Sequence, residues 1–255
     1  MNLVEVPPGE QFRNRILNAL PAAEVALLRP LLSPVRLVNG QGLHESGEPI
    51  EHVYFVEHGF ASVVAEVGDT SGSVEVGLIG RDSMTGLTAV FSADAITYGR
   101  VMVQMPGAGY RMSAQALRDN LEAMPTLRML LPRALEGMIA QVSQTAACNS
   151  RHTLPERLAR WLLMARDRAD SDELALTQEF LSMMLTVRRS GVTVAMGTLA
   201  VAGLVGHRRG RVLITDRPGL EAAACDCYRR VQAFAAGVAA RPGAPNRRVT
   251  KLHAS

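Results

Sequence analysis

The sequence predicts an α+β chain in which an antiparallel β-roll comes first and helices follow. Three observations predict it. Between about Val35 and Gly107 apolar residues recur with period two, punctuated by glycines. From Ser113 the period lengthens to that of a helix. The charge also changes sign along the chain: residues 1–150 hold 10 arginines against 15 acidic residues, whereas residues 151–217 hold 11 against 7. A length of 255 residues with 47% apolar content suits two domains with cores and excludes wholesale disorder.

The roll comes first, over residues 1–124 with its flanking helices. "HVYFVEHGFASVVAEV" alternates around Val53 and Phe55, then Ala61, Val63 and Ala65. "SVEVGLIG" continues with Val74, Val76 and Leu78, and "RVMVQMPG" with Val101, Val103 and Met105. Turns at Gly40, Gly47, Gly59, Gly68, Gly72, Gly80 and Gly107 separate short strands, as in a barrel or roll.

Ser113 caps a short helix to about Ala123, and Pro125 ends it. A long helix then spans about Thr126 to Asn149. Leu131, Leu135, Met138, Val142 and Thr145 are spaced four, three, four, three, a heptad seam that suits contact between two copies of the chain. The alternative is that this seam packs on its own roll. Pro132 lies inside the helix and removes one hydrogen bond or bends it. Residues 125–150 thus form a dimerisation helix and hinge.

In "RHTLPERLARWLLMARDRA", Thr153 and Glu156 form a capping box around Pro155. Leu158, Trp161, Leu162 and Ala165 make the buried stripe, and "DSDE" ends the helix. Thr177 caps "QEFLSMML", whose Phe180, Leu181, Met184 and Leu185 share one side. Thr186-Val187 is a turn, and a second helix runs from near Arg188 to Ala202, with Gly203 as its stop. Val192, Ala195, Met196 and Leu199 face inward. "LVGHRRGRVLI" alternates as a hairpin turning at Arg209-Gly210. Helix, tight turn, helix and basic hairpin make a winged helix-turn-helix over residues 151–217. Residues 218–255 read as an alanine-rich helix, Pro218 to about Val238, and a basic disordered tail.

That motif points to double-stranded DNA. Between residues 180 and 215 there are five arginines and no acidic residue. Lysine occurs once, at Lys251. Arginine is the residue suited to bidentate phosphate or guanine contacts. The outward face of the second helix offers Arg189, Ser190, Thr193 and Val194 to base edges in a major groove, Arg189 to guanine and the other residues to hydroxyl or methyl contacts. Thr177, Gln178 and Arg188 are placed for phosphates, as are His207, Arg208, Arg209 and Arg211 of the wing.

Other chemistry is weakly supported. No local Ser-His-Asp, metal-ligand or carboxylate-pair spacing suggests an enzyme. Cys148, Cys225 and Cys227 read as reduced thiols rather than a disulfide framework or a metal site. Cys225 and Cys227 are two apart, closer than a CxxC clamp, and the alternative is a site with His152 or His207. Residues 1–20 carry no apolar signal segment, and the apolar run Val192–Gly206 is too short to span a bilayer. The expectation is a cytoplasmic protein with no membrane partner.

Barrel, long helix, hinge and winged helix, in that order, resemble the Crp/Fnr family of bacterial transcription regulators. The resemblance is closest over "RHTLPERLARWLLMARDRADSDELALTQEFLSMMLTVRRSGVTVAMGTLAVAGLVGHRRGRVLITD". It extends to the roll through "GEPIEHVYFVEHGFASVV" and "EVGLIGRDSMTG". It implies a cyclic-nucleotide-binding-like roll, a homodimer on a two-fold symmetric operator, and contact with RNA polymerase. Three departures stand out. "RDSMTGLTAVFSADAITYGRV" lacks the Gly-Glu and Arg-Ser or Arg-Thr of the family's phosphate cassette, which argues against cyclic AMP or cyclic GMP and leaves only Arg81 and Arg100 as effector-pocket candidates. No cysteine precedes Cys148, so no iron-sulfur cluster and no other cofactor is expected. A heme ligand among His44, His52 and His58 stays open, although lone histidines are more often satisfied polar groups. Ser190 and Val194 stand where the best-known members carry a glutamate and an arginine, and Thr186 stands where the turn has glycine. A second reading keeps the fold but makes it a ligand-sensing or protein-interaction module whose winged helix no longer binds DNA.

Overall fold

The structure is a computed structural model that describes residues 11–67, 72–208 and 210–239. Two short helices, α1 (Arg15–Asn18) and α2 (Ala22–Leu28), lead into the roll. Its strands are β1 (Ser33–Leu37), β2 (Gly42–His44), β3 (His52–Val67), β4 (Gly72–Ile79), β5 (Met84–Thr85) and β6 (Arg100–Ser113). All pair antiparallel in the order β1-β6-β3-β4, with β2 on β6 and β5 on β3. The β3–β6 register slips three times between Val56 and Ala61, which bends the sheet into a roll. Gly107 sits at this bend, where a Cβ would lie 2.0 Å from the His58 carbonyl oxygen.

The period-two expectation holds for Val53, Phe55, Ala61, Val101 and Val103, all buried. It misses on β4. Val74 and Val76 are only half-buried, while Glu75 between them is buried. The register of β3 on β4 slips between Val63 and Val64, and helices pack against β4, so its burial does not follow a simple alternation.

Ser113 caps α3 (Ala114–Asn120) by accepting from the Ala116 N–H at 3.4 Å, and a single 3-10 turn reaches Ala123. The long helix α4 (Pro125–Arg151) follows. Its predicted seam does not face outward. Leu131 is fully buried in the roll core, Leu135 packs against that core, and Met138 packs under β3 and β4. Thr145 accepts from Arg160, and Val142 is half-buried. Between them Gln141 pairs with β4 as a strand would: Leu78 N–H donates to its Oε1 at 3.2 Å and its Nε2 donates to Leu78 O at 3.0 Å. Leu131, Leu135, Met138 and Thr145 therefore pack on their own chain. Pro132, Glu136, Ile139, Ser143 and Ala146, one position on, form the exposed face. Pro132 lies on that face, so its missing N–H leaves a carbonyl that water can reach.

The capping box of Thr153 and Glu156 opens α5 (Leu154–Ala169) as predicted, and Leu158, Trp161, Leu162 and Ala165 are buried. Then come β7 (Glu173–Leu174), α6 (Gln178–Leu185), α7 (Arg189–Val201), β8 (Val205–Arg208) and β9 (Arg211–Ile214). The wing is three-stranded, β7-β9-β8, rather than a two-stranded hairpin. The expected single helix after Pro218 is two: α8 (Arg217–Ala223) and α9 (Cys227–Ala239), broken around Ala224–Asp226. The expected disordered tail lies outside the described residues, as does Arg209. Helix α9 returns along α4, and the break gathers Cys225 and Cys227 with Cys148 and His152 of α4 and its carboxyl end.

The roll and the winged helix share one core. Phe60 and Leu78 of the roll belong to the same buried cluster as Leu158, Trp161, Leu181 and Met184. At its centre Glu75 accepts from Trp161 Nε1 at 2.6 Å and from Ser62 Oγ at 2.5 Å. Burial raises the Glu75 carboxyl to about 7, against the opposing hydrogen bonds and the nearby Arg168 and Arg160. At the edge, buried Arg168 pairs with Asp82 at 2.7 Å, and Asp170 pairs with Arg81 and Arg13. No helix among the described residues is long and apolar enough to cross a membrane.

Candidate nucleic-acid interface

Helices α6 and α7 are set by local chemistry. Thr177 Oγ1 accepts from the Phe180 N–H at 3.1 Å and caps α6. The turn that joins them places Thr186 in the left-handed region, φ 55 and ψ 50, where a β-branched residue is strained. The residue that stands where the turn usually has glycine thus takes up glycine's backbone region. Backbone bonds from Thr186 N to Met183 O and from Val187 N to Ser182 O close the turn, while Arg157 donates to Leu185 O. Gly203, φ +75, stops α7 where expected.

Val192, Ala195, Met196 and Leu199 of α7 are buried against α5 and α6. This fixes the opposite face outward. Arg189, Ser190, Thr193 and Val194 are all exposed on that face, Val194 at 70%. Gly197, Thr198 and Val201 extend it, Val201 at 92% exposure. Sequence reasoning stopped at Val194, although the same 3-4 spacing reaches Val201. The face carries hydroxyls and methyls but one guanidinium, that of Arg189.

The phosphate candidates ring this face. Arg188 is the exposed N-cap residue of α7, and no side chain caps that amino terminus, so first-turn N–H groups face outward with the helix dipole behind them. Thr177 and half-buried Gln178 lie at the start of α6. Gln178 Oε1 accepts from Thr193 Oγ1 at 2.9 Å, tying the two helices together. His207, Arg208 and Arg211 are exposed on the wing, whose turn uses Gly210 at φ +74.

Sequence position hid two carboxylates. The run without acids ends at Glu179, and folding brings that residue to Arg189 at 3.9 Å. Strand β7 likewise brings Glu173 to Arg211 at 2.5 Å. Both pairs are exposed and hold their arginines only weakly against a polyanion.

The candidate effector arginines are engaged separately. Arg81 pairs with Asp170 across the junction and Arg100 with Glu45, at 3.1 Å each. Where a phosphate cassette would lie, a 3-10 turn over Leu87–Val90 packs Leu87, Ala89 and Val90 into the core. His44 is buried, bonded to Thr85 Oγ1 at 2.8 Å, and burial lowers it to about 4.

Residues 156–223 match the Crp-like helix-turn-helix domain family. No curated protein matches the chain. Solved structures do. FixK2 from Bradyrhizobium japonicum is 16% identical at a TM-score of 0.65, covering 76% of this chain and 98% of its own. The c-di-GMP responsive global regulator CLP of Xanthomonas campestris is 15% identical at 0.63, covering 77% and 100%. A CRP family transcriptional regulator from Thermus thermophilus is 19% identical at 0.60, covering 74% and 96%. These share the whole architecture of roll, long helix and winged helix. Residues 156–223 thus form a Crp-like helix-turn-helix domain with an exposed, arginine-led α7, and the chain as a whole has the fold of Crp/Fnr-type DNA-binding transcription regulators.

Proposed function

We propose that the protein acts as a homodimer on a two-fold symmetric operator, with α7 in the major groove of each half-site. The observation that carries this is the exposed face of α7, Arg189 first, flanked by an uncapped helix terminus and a basic wing. Arg189 takes guanine N7 and O6; Ser190, Thr193 and Val194 read the following bases; Arg188, Thr177, Gln178, His207, Arg208 and Arg211 hold phosphates. Arg209, outside the described residues, belongs with the wing. Copies pair through the exposed face of α4 around Ile139, which is 56% exposed, rather than through the heptad, whose Leu131 is buried and whose other four members are half-buried. The protein works in the cytoplasm, meets RNA polymerase at promoters, catalyses no reaction, and needs neither a cyclic nucleotide nor an iron-sulfur cluster. The engaged states of Arg81 and Arg100 support the first part of that last statement.

Selection from random duplexes, followed by binding at 150 mM salt (about physiological), tests the proposal. A palindromic site bound far above random DNA is expected; equal affinity for both would sink it. The pairing of Arg189 and Arg211 with carboxylates favours the second reading, a module without DNA binding. The salt slope separates the two: steep for a DNA reader, flat for the module.

A further inference from the structure

The four residues gathered at the end of α4 have no part in DNA reading. Cys148 and His152 lie one helical turn apart, Cys148 in the last turn of α4 and His152 capping it. Cys225 and Cys227 come from the break between α8 and α9. Their ligand atoms, three Sγ and one imidazole nitrogen, all lie within 4.8 Å of one another. Cys148 Sγ is 3.4 Å from Cys225 Sγ, and Cys227 Sγ is 3.5 Å from His152 Nδ1.

Those separations are informative. A tetrahedral zinc ion with bonds of about 2.3 Å to sulfur and about 2.0 Å to nitrogen holds its ligands about 3.8 Å (S to S) and about 3.5 Å (S to N) apart. The sulfurs are also too far apart to be bonded: all three cysteines are free. One ion fits between four donors this close, whereas a multinuclear iron-sulfur cluster spreads its thiolates over different irons. Three sulfurs and one imidazole form a soft donor set that selects zinc over magnesium or calcium. The spacing of one residue between Cys225 and Cys227, closer than the usual clamp, is accommodated because the chain turns between α8 and α9 at that point.

The surroundings suit a bound dication. Three thiolates around a divalent ion leave one net negative charge. Buried Arg160 and half-buried Arg157 lie close enough to interact electrostatically with Cys148, and both have an Nε–H without a partner among the described residues. Gln144 Nε2 donates to Cys227 Sγ at 2.9 Å, an orienting bond of the kind that outer partners give metal-bound thiolates.

We propose that Cys148, His152, Cys225 and Cys227 bind one zinc ion, which clamps the end of the long helix to the segment that leaves the winged helix. This takes up the alternative that the sequence left beside reduced thiols, a site with His152, and not with His207. The site stands independently of the DNA-reading proposal, because it joins elements of the fold and touches none of the DNA-facing residues.

Metal content tests it on the reduced, full-length protein. The expected result is one zinc per chain after purification or zinc titration. Cobalt(II) added to metal-free protein should give the intense visible bands and thiolate charge transfer of a tetrahedral site. Cys225→Ser and Cys227→Ser should abolish both signals, and His152→Ala should shift the cobalt spectrum. Gln144→Ala, which keeps all four ligands, should weaken zinc binding about ten- to a hundredfold. His152→Ala and Gln144→Ala change partly exposed residues, so they read the site even if a cysteine variant misfolds. Three results would overturn the proposal: absence of stoichiometric zinc and of cobalt bands in reduced protein, a cobalt spectrum unchanged in Cys225→Ser, or a Cys148–Cys225 disulfide forming as readily with saturating zinc as without it.

Discussion

Trp161 Nε1 donates to Glu75 Oε1 at 2.6 Å, so one hydrogen bond at the centre of the shared core joins the first helix of the DNA-binding half to a strand of the roll. Because burial raises Glu75 to about 7, the fold favours its protonated form. Its contribution to stability is fully present below the ordinary carboxylate value and is lost as pH rises through about 7. Glu75→Gln keeps an acceptor for Trp161 and an N–H for Ser62 without the charge. It should therefore raise the melting temperature at about pH 8, by an equivalent of up to roughly 3 kcal/mol, and change little at about pH 5. Equal destabilisation at both values would show that the carboxylate itself is needed.

Arg189→Ala should cost roughly 1–3 kcal/mol at one base pair per half-site while leaving other positions discriminated. Glu179→Gln frees the same guanidinium from its neighbour at 3.9 Å and should strengthen binding to random DNA slightly. Competition assays against single-base operator variants read both effects. A uniform loss across all variants would move Arg189 to the phosphate group.

Thr186→Gly should stabilise the protein by about 1 kcal/mol, since glycine adopts φ 55 freely and threonine does not. Glycine's extra freedom in the unfolded chain offsets part of the gain. Thermal unfolding decides it, and a drop in melting temperature would mean that the Thr186 side chain supplies more than the strain removes.

Ile139→Glu should convert a dimer to monomers, raising the dissociation constant at least about thirtyfold, with near-ultraviolet dichroism unchanged. Leu131→Glu should instead unfold the roll, because Leu131 is fully buried in its core. Sedimentation at several concentrations separates these outcomes. A dimer that survives Ile139→Glu would place the interface elsewhere.

Much of this was legible in the sequence where one local rule decides the structure. The caps at Ser113, Thr153 and Thr177, the stop at Gly203 and the buried face of α7 are each fixed within a few residues. The misses share a different cause. The seam of α4 says that a face is covered and not by what, and only the fold shows Leu131, Leu135 and Met138 packing on their own chain. Glu75 reads as an outward strand residue until α5 covers β4. Strand β7 is two residues long, too short for any period to show. Glu173 and Glu179 meet their arginines, and the three cysteines meet each other, across separations that only the completed fold closes.

Cys148 and Cys225 stand 77 positions apart in the chain and 3.4 Å apart in space. The entire DNA-reading half is thus strung as a loop whose two ends meet at one point. Anchored at that point, the loop is held to the roll along its length as well, by the core that Phe60 and Leu78 share with Leu158 and Trp161, by the bond from Trp161 to Glu75 and by the pairs Arg168–Asp82 and Asp170–Arg81.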